Sequence, residues 1–254
     1  MEPTLFNSAA LAGRKAFVTG ASTGLGRHFA RVLAGAGASL ILAARRLDKL
    51  EAVRDELAGQ GADCRCVALD LTDMASIEAL GDLFDDVDIL VNNAGASQAG
   101  MALKVREASW DIALDTNLKG LFFLSQRAAL AMKKRGGGSI VNIASITGLR
   151  QGFGLLPYHV SKAGVIQLTK TLALELATSG VRVNAIAPGS FPTEITGAFW
   201  DSSDGQTMMA RIPQRRLGRM QDLDGPLLLL ASDASSYMTG SIIVVDGGHA
   251  VSSL

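Results

Sequence analysis

Apolar runs and helix-period segments alternate along nearly the whole chain. "KAFVTG" (15–20), "ASLILAA" (38–44), "CRCVALD" (64–70), "VDILVNNAG" (87–95), "SIVNIAS" (139–145), "VRVNAIAPG" (181–189) and "SIIVVDGG" (241–248) read as short strands. Between them lie segments of helical period. Leu47, Leu50, Val53 and Leu57 recur at steps of three, three and four, with glycines at the stop. Residues 27–37, 73–84, about 107–135, 158–180 and 223–232 give further helices, with Asp73 as a cap. Strands this continuously apolar are buried on both faces, which predicts a parallel sheet covered by helices on each side. The expected fold is α/β: one Rossmann-type, doubly wound domain over 1–254 with about seven strands. Only 189–214 breaks the rhythm, with prolines, glycines and an aromatic pair, and it is expected to be a loop serving as a substrate lid.

Composition adds exclusions rather than a function. Lys+Arg and Asp+Glu balance at 24 each, so no net field draws the chain to nucleic acid or to an anionic membrane. No apolar stretch is long enough to span a bilayer, and the N-terminal residues do not read as a signal peptide. A soluble, cytoplasmic protein is expected. Cys64 and Cys66 sit one residue apart on a strand, where they read as small apolar residues on one face rather than a redox or metal pair. His28, His159 and His249 have no metal-ligand spacing, and no metal is expected.

The first strand runs into "TGASTGLG", which places Gly20, Gly24 and Gly26 at a helix entry. There the backbone turns tightly and free N–H groups favour a pyrophosphate. At the end of the next strand, where a carboxylate would hold the ribose 2′-hydroxyl of NAD, the chain has Arg45 and Arg46 after Ala44. Guanidinium groups pair with a phosphate, and Ser22 and Thr23 add hydroxyl donors, so NADP(H) is the expected cofactor.

Tyr158 and Lys162, at i and i+4, share one helix face. A neighbouring ammonium should favour the phenolate. Bringing a tyrosine from about 10 to near neutrality asks roughly 3–4 kcal/mol of positive surroundings.

"TGASTGLG", "NNAG" (92–95), "NIAS" (142–145), "YHVSK" (158–162), "PGSFPT" (188–193) and the closing "YMTGSIIVVDGG" stand in one order over nearly the whole chain. In these the chain resembles the short-chain dehydrogenase/reductase family, carbonyl reductases and 3-oxoacyl-ACP reductases among them. The resemblance implies Tyr158 as proton donor in carbonyl reduction or base in alcohol oxidation. Lys162 would tune Tyr158 and bond the nicotinamide ribose. Ser145, thirteen residues before Tyr158, would hold the substrate oxygen, and Asn117 would hold a water leading from the lysine to solvent.

The resemblance also carries Leu25, Asp70, Leu71, Asn93, Ala94, Gly95, Pro188, Gly189, Phe191 and Thr193 onto the cofactor surface. Phe191 and Thr193 would fix the nicotinamide amide. Residues 148–157 and the lid would wall the substrate pocket, with Phe153, Leu155, Leu156, Phe199 and Trp200 forming an apolar chamber suited to a bulky ketone. Reduction of 3-oxoacyl thioesters on acyl carrier protein, with Arg211, Arg215, Arg216 and Arg219 as a basic patch, and sugar or polyol dehydrogenation are the alternatives. A non-catalytic cofactor-binding scaffold is disfavoured by the intact Ser145, Tyr158 and Lys162. The expected assembly is a homotetramer or homodimer.

Overall fold

The computed structural model describes residues 9–97, 99–192 and 197–252. In chain order the elements are β1 (Lys15–Thr19), α1 (Gly24–Gly35), β2 (Ser39–Ala44), α2 (Leu47–Ala58), β3 (Cys64–Ala68), α3 (Met74–Glu78), β4 (Ile89–Asn92), α4 (Glu107–Leu114) and α5 (Gly120–Lys134). There follow β5 (Gly138–Ile143), α6 (Leu156–Leu176), β6 (Val181–Pro188), α7 (Gly197–Trp200), α8 (Ser203–Met209), α9 (Asp224–Ala231) and β7 (Ile242–Val245). The strands form one sheet in the order β3-β2-β1-β4-β5-β6-β7, and every pairing is parallel. Chain direction across the sheet reverses between β1 and β4, which opens a crevice at their carboxyl ends.

Alternation along the strands feeds cores on both faces of the sheet. Val18, Leu42, Ile89 and Val91 face Phe29 and Leu33 of α1, Leu50, Val53 and Leu57 of α2, and Leu227 and Leu230 of α9. Their neighbours Phe17, Ile41 and Leu90 point the other way, onto Ile77 of α3, Leu124, Ala128 and Met132 of α5, and Leu172 of α6. Each such aliphatic side chain withdrawn from water stabilises the fold by about 1.5–3 kcal/mol. Both faces are therefore covered, as the unbroken apolar runs predict.

Three elements depart from expectation. The helix expected over 73–84 stops at Glu78, because Gly81 adopts φ +49° and restarts the chain as a 3₁₀ turn over Gly81–Phe84. The helix expected over 107–135 is divided by a π-turn at Asp115–Lys119. The segment expected to be a loop carries the short helices α7 and α8. Cys64 and Cys66 lie half-buried on the edge strand β3, packed against the first core as small apolar residues, and both are free. Burial pushes the Cys64 thiol up to about 11.

Candidate active site

Thr19 ends β1 at the reversal point and ties the glycine turn to β4. Its hydroxyl oxygen accepts from the backbone N–H groups of Asn93 and Ala94, each at 2.9 Å. The Asn93 side-chain amide donates to the Thr19 and Gly20 carbonyl oxygens at 2.9 and 3.3 Å. Asn93, expected on the cofactor surface, thus spends its amide beneath the turn. Gly26 has no room for a side chain, since a Cβ there would lie 2.2 Å from the Gly20 carbonyl oxygen. Gly24 adopts φ +54°. The α1 N-cap, Thr23, makes no side-chain capping bond, and the first turn has no acidic residue. The leading N–H groups of α1 consequently have no side-chain anion, which suits a pyrophosphate. Ser22, Thr23 and Leu25 are half-buried around this entry.

Arg45 and Arg46 follow β2, both exposed, and make no ion pair with any described residue. Asp70 is committed elsewhere: its carboxylate accepts from Thr72 N and Thr72 Oγ1 at 2.9 and 2.8 Å. Asp70 Oδ1 thus shapes its own turn, the Asp70 N–H donates to Ser76 Oγ at 3.0 Å and the Asp70 carbonyl accepts from Asp73 N at 3.2 Å, while Leu71 is buried in the core. Pro188 closes β6, and Gly189 N donates to the Val245 carbonyl at 2.9 Å. Phe191 is buried against Gly218, and Thr193 lies outside the described residues.

The catalytic candidates converge at the carboxyl ends of β4 and β5. Ser145 opens a 3₁₀ turn and accepts through Oγ from Thr147 N and Thr147 Oγ1 at 3.2 and 2.9 Å. Pro157 sits in the first turn of α6, where its missing N–H leaves no bond unmade. It is followed at once by Tyr158, whose phenol lies close to Ser145. One turn on, buried Lys162 donates from Nζ to the Ile143 carbonyl oxygen at 2.7 Å and lies 5.7 Å from the centre of the Tyr158 ring. Burial brings the Lys162 ammonium down to about 8.

Burial also holds the Tyr158 phenol above its ordinary value, opposed by the nearby Ser145. This corrects the expected fall. The lysine ammonium is directed at the Ile143 carbonyl, and desolvation of the phenolate dominates.

Asn117 occupies the π-turn. It accepts from Ala96 N at 2.7 Å and donates to Ala96 O and Ser161 Oγ, both at 2.9 Å. Ser161 in turn donates to the Tyr158 carbonyl at 2.8 Å. Gly95 is placed so that a Cβ would lie 3.3 Å from Asn117 Oδ1 and 3.7 Å from Lys162 Nζ. Sequence reasoning missed Thr19, whose only signal was a hydroxyl residue ending an apolar strand.

A family model of short-chain dehydrogenases, described as enoyl-(acyl carrier protein) reductase, matches residues 20–250. The chain belongs to the short-chain dehydrogenase/reductase family. Among its relatives in this family is the 3-oxoacyl-(acyl-carrier-protein) reductase FabG of Staphylococcus aureus, 38% identical over 240 residues and covering 92% of this chain and 97% of the relative. A gluconate 5-dehydrogenase of Burkholderia cenocepacia, solved with NADP and tartrate, superposes with a TM-score of 0.92 at 32% identity over 97% of this chain and 99% of that one. The RhlG/NADP active-site complex of Pseudomonas aeruginosa does so with a TM-score of 0.89 at 32% identity, over 96% and 100% of the two chains.

On the substrate side of this short-chain dehydrogenase/reductase, the described residues expected to wall an apolar chamber are largely exposed. Phe153 is 92% exposed, Leu156 and Phe199 are also exposed, and Leu155 and Trp200 are half-buried. Phe199 and Trp200 meet edge to face at 5.0 Å, packing on each other. The loop carrying Phe153 is held instead by backbone, with Gly100 N donating to Gly154 O at 2.8 Å. A cavity of about 390 Å³ opens beside Ser190 and Phe191 toward Gln214 and Gly247. The arginines expected as a basic patch are partly neutralised, Arg216 and Arg219 both pairing with Asp222 at 2.6 and 3.1 Å.

Proposed function

We propose that this chain is an NADP(H)-dependent oxidoreductase that interconverts a ketone and a secondary alcohol. The observation that carries the reading is the placement of Tyr158 close to Ser145 and one helical turn from buried Lys162, whose Nζ lies 5.7 Å from the tyrosine ring. That group lies at the carboxyl end of a sheet whose first helix has an uncapped N-terminus. The exposed Arg45 and Arg46 support the phosphorylated cofactor, as does the NADP in the two solved relatives.

The first turn of α1 with Ser22 and Thr23 would hold the pyrophosphate, Arg45 and Arg46 the 2′-phosphate, and Lys162 the nicotinamide ribose. When bound, the nicotinamide supplies or accepts the hydride. Ser145 Oγ orients the substrate oxygen and stabilises the charge that develops there. Tyr158 gives its phenolic proton to that oxygen in reduction and recovers it in oxidation. Protonated Lys162 lowers the cost of the phenolate while Tyr158 is deprotonated. Asn117 and Ser161 brace the first turn of α6, so the phenol stays within reach of Ser145.

A bulky, apolar ketone is the favoured substrate class, supported by the exposed Met101, Leu103, Leu149 and Phe153 on neighbouring loops. A 3-oxoacyl thioester is the second reading, favoured by the FabG relationship and by exposed Arg215 and Arg219. Exposed Trp110, Ile112, Leu130 and Leu174 on α4, α5 and α6 support a homodimer or homotetramer, and the expected location is the cytoplasm. The test is initial-rate oxidation of NADPH and NADH over aromatic ketones, 3-oxoacyl thioesters and keto-sugars, with Tyr158→Phe as control. Activity that persists in the control defeats the assignment of Tyr158.

A further inference from the structure

Three segments that border the cleft meet on one short piece of chain beyond β7. Asp246 folds that piece back on itself, its two carboxylate oxygens accepting from Gly248 N at 2.8 Å and Ala250 N at 2.5 Å. Gly247 and Gly248 take φ +64° and +86°, which lets the chain reverse into a 3₁₀ turn at His249–Val251. The result is a hook.

The end of the lid rests on one side of the hook. Gln214 N donates to the Gly247 carbonyl at 3.1 Å, and a Cβ on Gly248 would lie 3.1 Å from Pro213 Cγ. The loop after β6 lies against its base, where a Cβ on Gly189 would stand 2.6 Å from Asp246 Cβ. The loop between Ser145 and Tyr158 reaches its far side through one side chain. Half-buried Arg150 donates from Nη1 to the His249 carbonyl and, at 2.6 Å, to Ser252 Oγ. That loop is anchored at its other end as well, because Gly148 packs so closely on α6 that a Cβ would fall 2.7 Å from the Lys162 carbonyl carbon.

We propose that the hook over 246–252 couples the lid to the catalytic loop, with Arg150 as a positioning residue that sets the cleft rather than touching substrate. The proposal rests on the reading that Ser145 and Tyr158 perform the chemistry. Arg150 carries a formal charge to neutral acceptors, and such charge-assisted bonds are stronger and more directional than neutral ones. Releasing them lets the loop after Ser145 shift, and a misplacement near 1 Å costs up to about a hundredfold in rate.

The experiment compares the wild-type chain with Arg150→Met and Arg150→Lys by three readouts. These are tryptic cleavage at the exposed Arg211, Arg215 and Arg216 of the lid end, NADPH affinity by fluorescence, and kcat and KM for NADPH with the best ketone of the panel. Arg150→Met is expected to speed lid-end cleavage severalfold and to lower kcat/KM by about tenfold or more, with NADPH affinity within about twofold. Arg150→Lys, able to reach one of the two acceptors, is expected to recover part of both effects.

Unchanged lid-end cleavage in Arg150→Met overturns the coupling. A loss of NADPH affinity parallel to the loss of rate overturns it too, since Arg150 would then be holding the fold as a whole. If the wild-type chain turns over no panel substrate, the functional reading fails, and the cleavage comparison alone decides the hook.

Discussion

Lys162 Nζ donates to the Ile143 carbonyl oxygen at 2.7 Å, which fastens the helix bearing Tyr158 to the end of β5. The same bond sets the lysine between two tasks. It locks α6 against the sheet, and it leaves the ammonium 5.7 Å from the tyrosine ring, ready for a ribose hydroxyl. Burial with a single neutral acceptor is why the charge is held only weakly.

That weakness gives a stability prediction. Lys162 titrates at about 8 in the folded chain and about 10.4 when unfolded. Between these values the unfolded state binds more protons, so stability rises with pH across the window from about 8 to 10. The gain is of order 1–3 kcal/mol and should be missing from Lys162→Met. Urea unfolding of both proteins at pH 7.5 and 9.5 measures it; equal slopes in the two would refute the burial argument.

Tyr158→Phe keeps the ring but removes the proton donor. Carbonyl reduction is expected to fall by about 10²–10⁴-fold, with NADPH affinity within about threefold. Stopped-flow rates and fluorescence titration separate the two effects.

Arg45 and Arg46 should govern cofactor choice. Changing both to alanine is expected to lower the preference for NADPH over NADH by about 10–100-fold, or 1.4–2.7 kcal/mol, mainly through KM for NADPH. Equal loss with both cofactors would mean that the two arginines do not read the 2′-phosphate.

Thr19→Val tests the stitch beneath the glycine turn. The variant is nearly isosteric but leaves the N–H groups of Asn93 and Ala94 without their acceptor. Each costs about 1–3 kcal/mol, so a lower unfolding midpoint together with weaker NADPH binding is expected. Calorimetry and titration on the same samples check both; an unchanged NADPH affinity would show that the stitch serves stability alone.

Asn117→Leu should cost about 2–4 kcal/mol, because Ala96 N and Ala96 O lose a buried partner and Ser161 loses a donor. A reduced kcat at temperatures where the variant stays folded would separate positioning of Tyr158 from mere stability.

Much of this site follows from local rules. The unbroken apolar runs predicted a sheet buried on both faces, because side chains alternate along a strand and each face needs its own cover. The glycine turn after β1 and the Tyr158/Lys162 spacing were legible because turn geometry and helical period act within a few residues.

Side-chain direction was not legible, since it depends on partners distant in the chain. Asn93 turned under Gly20 because Thr19, 74 residues earlier, offers a carbonyl there. Asp70 closed its own turn, and the helix around Asn117 widened into a π-turn where the side chain meets Ala96. Lys162 found the Ile143 carbonyl, 19 residues away, rather than the phenol in its own helix. Arg150 reached a tail about a hundred residues on, at Ser252. Period and turn chemistry select elements from neighbours in sequence, whereas the protonation of Tyr158 and the shape of the cleft depend on which distant groups the packed layers bring within hydrogen-bonding distance.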